Sequence, residues 1–118
     1  MIVNFLKSKI HRATVTDCNL HYEGSIGIDE GLMREVGLSH WEQVDVYNIT
    51  NGERLTTYAI PEPEGSGVIS IRGSAAHKAN IGDLIIICSY CGIDSLQISK
   101  HKPSVVLVDE KNKVKRKS

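Results

Sequence analysis

The chain has 118 residues, 41% hydrophobic and 24% charged, which fits one soluble globular domain and is wrong for a disordered chain. Aromatic residues are only 5%, so the core must be built from Ile, Val and Leu, and that favours strands. The net charge is zero but unevenly placed: Lys111, Lys113, Lys115, Arg116 and Lys117 are five basic groups in residues 111–118, leaving nine basic and fourteen acidic residues, or −5, elsewhere.

The stretch Met1–Lys7, with polar Asn4 inside it, is too short for a signal peptide. No run approaches the ~20 apolar residues of a membrane span. Lys9–Thr16 is rich in β-branched residues and reads as a strand, with Lys9, His11, Ala13 and Val15 sharing one face. Asp17–Gly24 is polar and turn-like, and Ser25–Ile28 resumes a short strand. Asp29 can cap a short helix with Leu32, Met33 and Val36 as its apolar stripe, stopped by Gly37. Gln43–Ile49 and Glu53–Ile60 alternate around Asn51-Gly52, a two-residue hairpin signal. On the return strand Arg54, Thr56 and Tyr58 share one face, with Leu55, Thr57 and Ala59 on the other.

Residues 61–67 (PEPEGSG) read as a loop, Val68–Ile71 as a strand and Ser74–Ala79 as a helical turn. Asp83–Cys88 is continuously apolar after its first residue and reads as a strand buried on both faces. Ser104–Val108 reads as the last strand. A single domain, residues 1–110, is expected to be a small, mostly-β closed barrel with short helices, since closure removes exposed edges. The basic residues 111–118 read as a solvated, frayed tail.

Motifs taken singly carry little chemistry. Cys88-x-x-Cys91 lacks the second pair of a zinc ribbon and the strand-then-helix setting of a thioredoxin-like site. Three cysteines without a secretory signal argue against a disulfide scaffold, and a cytoplasmic location is expected. His21, His40, His77 and His101 have no ligand spacing, so no metal is expected. No basic patch with interleaved aromatics points to nucleic acid. Gly24-Ser25 sits in a polar turn before an apolar strand, and read by itself it is a turn glycine followed by a locally bonded serine.

In combination the motifs are informative. Lys9–Thr16 (KIHRATVT), Leu20–Ser25 (LHYEGS), Asn51–Tyr58 (NGERLTTY) and Gly73–His77 (GSAAH), in that order, resemble the aspartate 1-decarboxylase family over nearly the whole chain to about Val108. The resemblance implies a double-psi β-barrel. It further implies a proenzyme that cleaves itself between Gly24 and Ser25, giving chains 1–24 and 25–118 with a pyruvoyl group at position 25. That covalent group, formed from Ser25, is the only cofactor implied; it would take L-aspartate as a Schiff base, act as electron sink for loss of carbon dioxide, and release β-alanine for pantothenate and coenzyme A synthesis.

Carried over residue by residue, Thr57 supports self-processing and Tyr58 is the proton donor. Lys9, Arg54, Thr57, Gly73, Ser74 and Ala75 bind substrate, with His11, Tyr22 and Arg72 in support. A conformationally permissive Gly24 suits the bent peptide that cleavage needs. The family is a homotetramer with active sites between protomers, and some relatives need a maturation partner. Two positions depart from the family pattern: Arg72 stands where Asn is common, and Ser74 where Ala is common. A non-catalytic β-barrel binding module is the competing reading, and it requires no cleavage at Ser25.

Overall fold

A computed structural model describes all residues, Met1–Ser118. Nine strands run in chain order: β1 (Ile2–Thr14), β2 (Asp17–Asn19), β3 (Ser25–Asp29), β4 (Gln43–Asn48), β5 (Arg54–Glu62), β6 (Ile69–Arg72), β7 (Leu84–Asp94), β8 (Ser104–Val108) and β9 (Val114–Lys117). They form one sheet in the order β2-β6-β3-β5-β4-β7-β1-β8-β9. The pairs β1–β8, β2–β6 and β3–β5 are parallel, so the chain crosses over repeatedly and does not meander. The sheet folds back on itself: Thr16, just past β1, donates its backbone N–H to Ile69 O at 2.8 Å and accepts from Ile69 N–H on its hydroxyl at 2.9 Å. The mostly-β class expected from the sequence is the class observed.

The enclosed core is aliphatic. Ile10, Ile26, Ile28, Ile69, Ile71, Ile85, Ile87, Val15, Val36, Val44, Val46 and Val106 are its largest fully buried side chains. Dispersion and apolar burial among these β-branched residues hold the sheet together without any aromatic ring in the core. No helix is long and apolar enough to cross a membrane.

The helix α1 (Glu30–Val36) is capped by Asp29 and stopped by Gly37 at φ 74°, and it buries Leu32, Met33 and Val36, as the sequence predicts. Several other expectations need correction. β1 begins at Ile2, and register shifts fall at Leu6/Ser8 and His11/Ala13. Arg12 occupies the second shift at φ 66°, so Ala13 turns into the core beside Ile10, away from the Lys9–His11 face. β7 alternates half-buried and buried residues from Leu84 to Ile87, is buried on both faces only at Ile87–Ser89, and runs on to Asp94 before a 3₁₀ turn, Ser95–Lys100, that the sequence pattern does not reveal. The β4–β5 connection spans residues 49–53, not two residues. Its shape comes from Asn48, whose carbonyl oxygen accepts from Thr50 and Asn51 N–H and whose amide donates to buried Asp83 at 2.9 Å.

The basic C-terminus is not frayed: β9 pairs antiparallel with β8, so Ser104–Val108 is not the last strand. Asn112, 1% exposed, locks the turn that enters β9. Its amide donates to Thr14 O and Gly67 O at 2.9 and 2.8 Å, and its carbonyl accepts from Thr14 N–H at 2.7 Å. These bonds satisfy backbone groups of two distant segments and tie residues 111–118 to the domain.

Candidate active site

β3 and β6 bring Ser25 and Arg72 opposite one another, and the chain turns at Gly73 immediately afterwards into the 3₁₀ helix Gly73–Lys78. Gly73 adopts φ 71°, and a Cβ there would lie 2.7 Å from Gly24 Cα, 2.9 Å from Gly24 N and 3.1 Å from Tyr22 O. Backbone therefore packs on backbone at Gly24, the residue before Ser25. The glycine that this packing demands is Gly73: Gly24 lies outside the left-handed region and has open space around its Cβ position. The special backbone angle expected of Gly24 belongs to its neighbour.

Ser25 is buried, 5% exposed, although the preceding residues Leu20–Gly24 are exposed. A cleft of about 240 Å³ opens beside the bond, lined by Gly24, Leu55, Thr56, Thr57, Arg72, Ser74, Ala75 and Lys78. Thus Gly24, Thr57, Arg72, Ser74 and Ala75 are brought together, with Ser25 and Gly73 adjoining. Tyr22 reaches the same place by lying under Arg72, whose guanidinium carbon sits 5.0 Å from the ring centroid.

Arg72 is fixed from several sides. It forms an ion pair with Glu62, and its Nε donates to Ser70 Oγ at 3.2 Å. Ser70 Oγ donates in turn to Asp17 at 2.9 Å. The pair crosses β3 above Gly27, where a Cβ would meet Glu62 Oε1 at 2.7 Å and Arg72 Nη2 at 2.9 Å. Glu62 falls in the Pro-rich run 61–67, whose composition signals a loop, and the sequence offers no signal for this partnership. Lys78 was likewise missed; its ammonium donates to Arg54 O at 3.2 Å and pairs with Glu53.

Lys9, His11, Arg54 and Tyr58 form a separate group. Register across β5, β4, β7 and β1 aligns Thr56, Asp45, Cys88 and Lys9 in one row, and Arg54, Tyr47, Ile86 and His11 in the next. Tyr58 lies two residues beyond Thr56 on the same face. Thr57 lies on the other face with Val44 and Val46. None of these four lines the cleft beside Gly24, although Thr57 and Tyr58 both wall a second, more open cleft with Trp41.

On this outer face Arg54 stacks 4.5 Å above the Tyr47 ring, and the Tyr47 and Tyr90 hydroxyls are 2.8 Å apart. That bond, with burial, holds the Tyr90 phenol above the usual tyrosine range. Burial lowers the His11 pKa, helped by Lys9, Arg12 and Arg116, and its Nδ1 is buried without a partner. Burial pushes the Cys88 thiol up. Cys88 and Cys91 lie three apart on β7, where side chains point to opposite faces.

A buried serine at a strand start thus follows a glycine that lines a small cleft with Arg72 and Lys78 on its wall, an arrangement of the kind that can take a small anion. Sequence comparison supplies the class: the chain's relatives are carboxy-lyases. The family described as Aspartate decarboxylase matches residues 1–115. The aspartate 1-decarboxylase of Methylibium petroleiphilum is 51% identical over 109 residues, covering 92% of this chain and 91% of its own length. That of Bordetella pertussis is 53% identical over 110 residues, 93% of this chain and 90% of its own. The Hyphomonas neptunium enzyme of the same name is 47% identical over 118 residues and the full length of both. This chain belongs to the aspartate decarboxylase family.

Proposed function

We propose that the chain decarboxylates L-aspartate to β-alanine with a pyruvoyl group made from its own Ser25, after breaking its backbone between Gly24 and Ser25. The observation that carries this reading is the approach of Gly73 to Gly24, which leaves no room for a side chain. It presses the peptide ahead of a buried serine into a fixed place, as an intramolecular attack requires.

Ser25 Oγ adds to the Gly24 carbonyl carbon, the C–N bond breaks, and an ester forms in its place. Thr57, on the cleft wall with Gly24, is the hydroxyl donor for the oxyanion that develops on the way. Loss of the Ser25 Cα proton then expels the Gly24 carboxylate and leaves dehydroalanine. Water converts this to the ketone, releasing ammonia. The cleft has room for a small amino acid beside position 25, so the residues present fit the group. The pyruvoyl group, once formed, supplies an electron sink for the carboxylate that leaves.

The remaining roles fall to side chains. Arg54 and Lys9 hold the substrate carboxylates, Arg54 through its planar fork and Lys9 as a compact charge. The backbone of Gly73, Ser74 and Ala75 lines the substrate, and Tyr58 gives a proton to carbon. His11, Tyr22 and Arg72 buttress these groups. Lys9, His11, Arg54 and Tyr58 do not line the cleft beside Gly24, which supports a homotetramer in which one protomer offers their face to its neighbour's Ser25. Met1, Ile2 and Leu96 at the end of the β1–β7 ribbon, 90%, 69% and 84% exposed, supply apolar surface for such contacts. The activity would serve pantothenate and coenzyme A synthesis in the cytoplasm, with or without a maturation partner.

Intact-mass measurement on purified protein tests the proposal. Two chains, 1–24 and 25–118, with the larger reacting with a hydrazine, are expected, and Ser25→Ala should give one unbroken, inactive chain. A parent that stays whole after ageing and ignores hydrazines refutes the reading and favours a non-catalytic module.

A further inference from the structure

Trp41 occupies the left-handed region at φ 75°, a conformation that suits glycine or asparagine and is costly for a bulky residue. Backbone contacts hold it there. Trp41 N–H donates to Ala59 O at 2.8 Å and Ala59 N–H donates to Glu42 O at 2.9 Å, clamping the segment before β4 onto β5. Glycine or asparagine would make the same two bonds without strain, so the fold does not account for the indole. Burial does not account for it either, because Trp41 is 66% exposed.

The indole's neighbours do account for it. It stacks on the His40 ring at 4.3 Å and 10°, and lies 5.7 Å from the Tyr58 ring at 32°. With Gln43, Thr56, Thr57 and Tyr58 it walls an open cleft of about 460 Å³.

We propose that Trp41, braced by His40, is a positioning residue that fixes the Tyr58 ring and shields one side of its phenol from water. This rests on the reading of Tyr58 as the proton donor to carbon. A phenol on an open sheet face can swing about its side-chain torsions, and delivery to carbon needs a fixed approach. A flat indole tilted against the ring restricts that swing, and the stacked imidazole keeps the indole in place. The backbone strain persists because the side chain is needed.

Cleavage and turnover by the parent chain test the enzymatic reading by themselves, and the Trp41 variants are then compared with cleaved parent. Trp41→Asn should cleave normally and melt about 3 °C or more higher, because strain is relieved. Its kcat should fall roughly 10-fold or more with little change in KM. Trp41→Phe, which keeps an aromatic face, should recover most of that loss. Trp41→Gly gives the same comparison should the Asn variant fold poorly. Trp41 is the chain's single tryptophan, so its emission should change when aspartate is added to cleaved parent. Parental kcat in Trp41→Asn, a Trp41→Phe enzyme as slow as Trp41→Asn, or emission blind to aspartate would each overturn the proposal.

Discussion

Gly73→Ala isolates the contact on which the proposed self-cleavage depends. The added methyl meets two obstacles at once. At φ 71° an L-residue pays a backbone cost of about 1–2 kcal/mol. The Cβ would also sit 2.7 Å from Gly24 Cα and 2.9 Å from Gly24 N, backbone atoms with no flexible end to swing aside. Relieving that overlap means moving the Tyr22–Gly24 segment by several tenths of an ångström or more, an overpacking cost of about 1–3 kcal/mol. The sum, about 2–5 kcal/mol, is a large share of the 5–15 kcal/mol that holds a typical domain. Displacing Gly24 from Ser25 and Thr57 should slow cleavage by roughly 10²-fold.

Gly24→Ala is the matched control, since a Cβ there meets nothing within 4 Å and the backbone is not left-handed. Its stability should stay within about 0.5 kcal/mol of the parent. The assay follows intact mass against time after purification, alongside urea denaturation. A Gly73→Ala protein that cleaves at the parental rate would refute the argument, as would a Gly24→Ala protein destabilised as much as Gly73→Ala.

Removing residues 111–118 takes Asn112 from Thr14 and Gly67 and strands buried backbone groups, so denaturation should show a loss of about 3 kcal/mol or more; an unchanged midpoint would restore the frayed tail. Gly27→Ala should destabilise the parent by about 1–3 kcal/mol but be close to neutral with Arg72→Ala and Glu62→Ala together, because the clash is with that ion pair; additive effects would contradict this. Burial raises the Asp29 pKa, but backbone N–H bonds from Gly67, Gly65 and Gly31, aided by Lys113, outweigh it and lower the value overall. A depressed carboxyl contributes stability above its unfolded pKa near 3.9 and loses it as pH falls through the folded value. Asp29→Ala should therefore cost about 2–4 kcal/mol at pH 7, with the gap to the parent narrowing below about pH 4 in denaturation at stepped pH.

Local rules made much of the chain legible. Alternation placed Arg54 and Tyr58 on one face and Thr57 on the other, and Asp29 and Gly37 marked the helix because caps act within a turn. Low aromatic content required an aliphatic strand core, which Ile and Val provide. The linear order of motifs pointed to the family and to Gly24-Ser25 as the bond of interest. Tertiary structure decided the rest, because its causes lie far apart in sequence. The stringent glycine is Gly73, since only folding brings position 73 onto position 24. The C-terminal cations belong to a strand because Asn112 reaches Thr14 and Gly67. Arg72 acquired Glu62 through the pairing of β3 with both β5 and β6, and Trp41 came to face Tyr58 through two bonds to Ala59. Alternation and caps act over a few residues and can be read along the chain, whereas steric exclusion and the satisfaction of buried polar groups depend on which distant segments the sheet brings into contact.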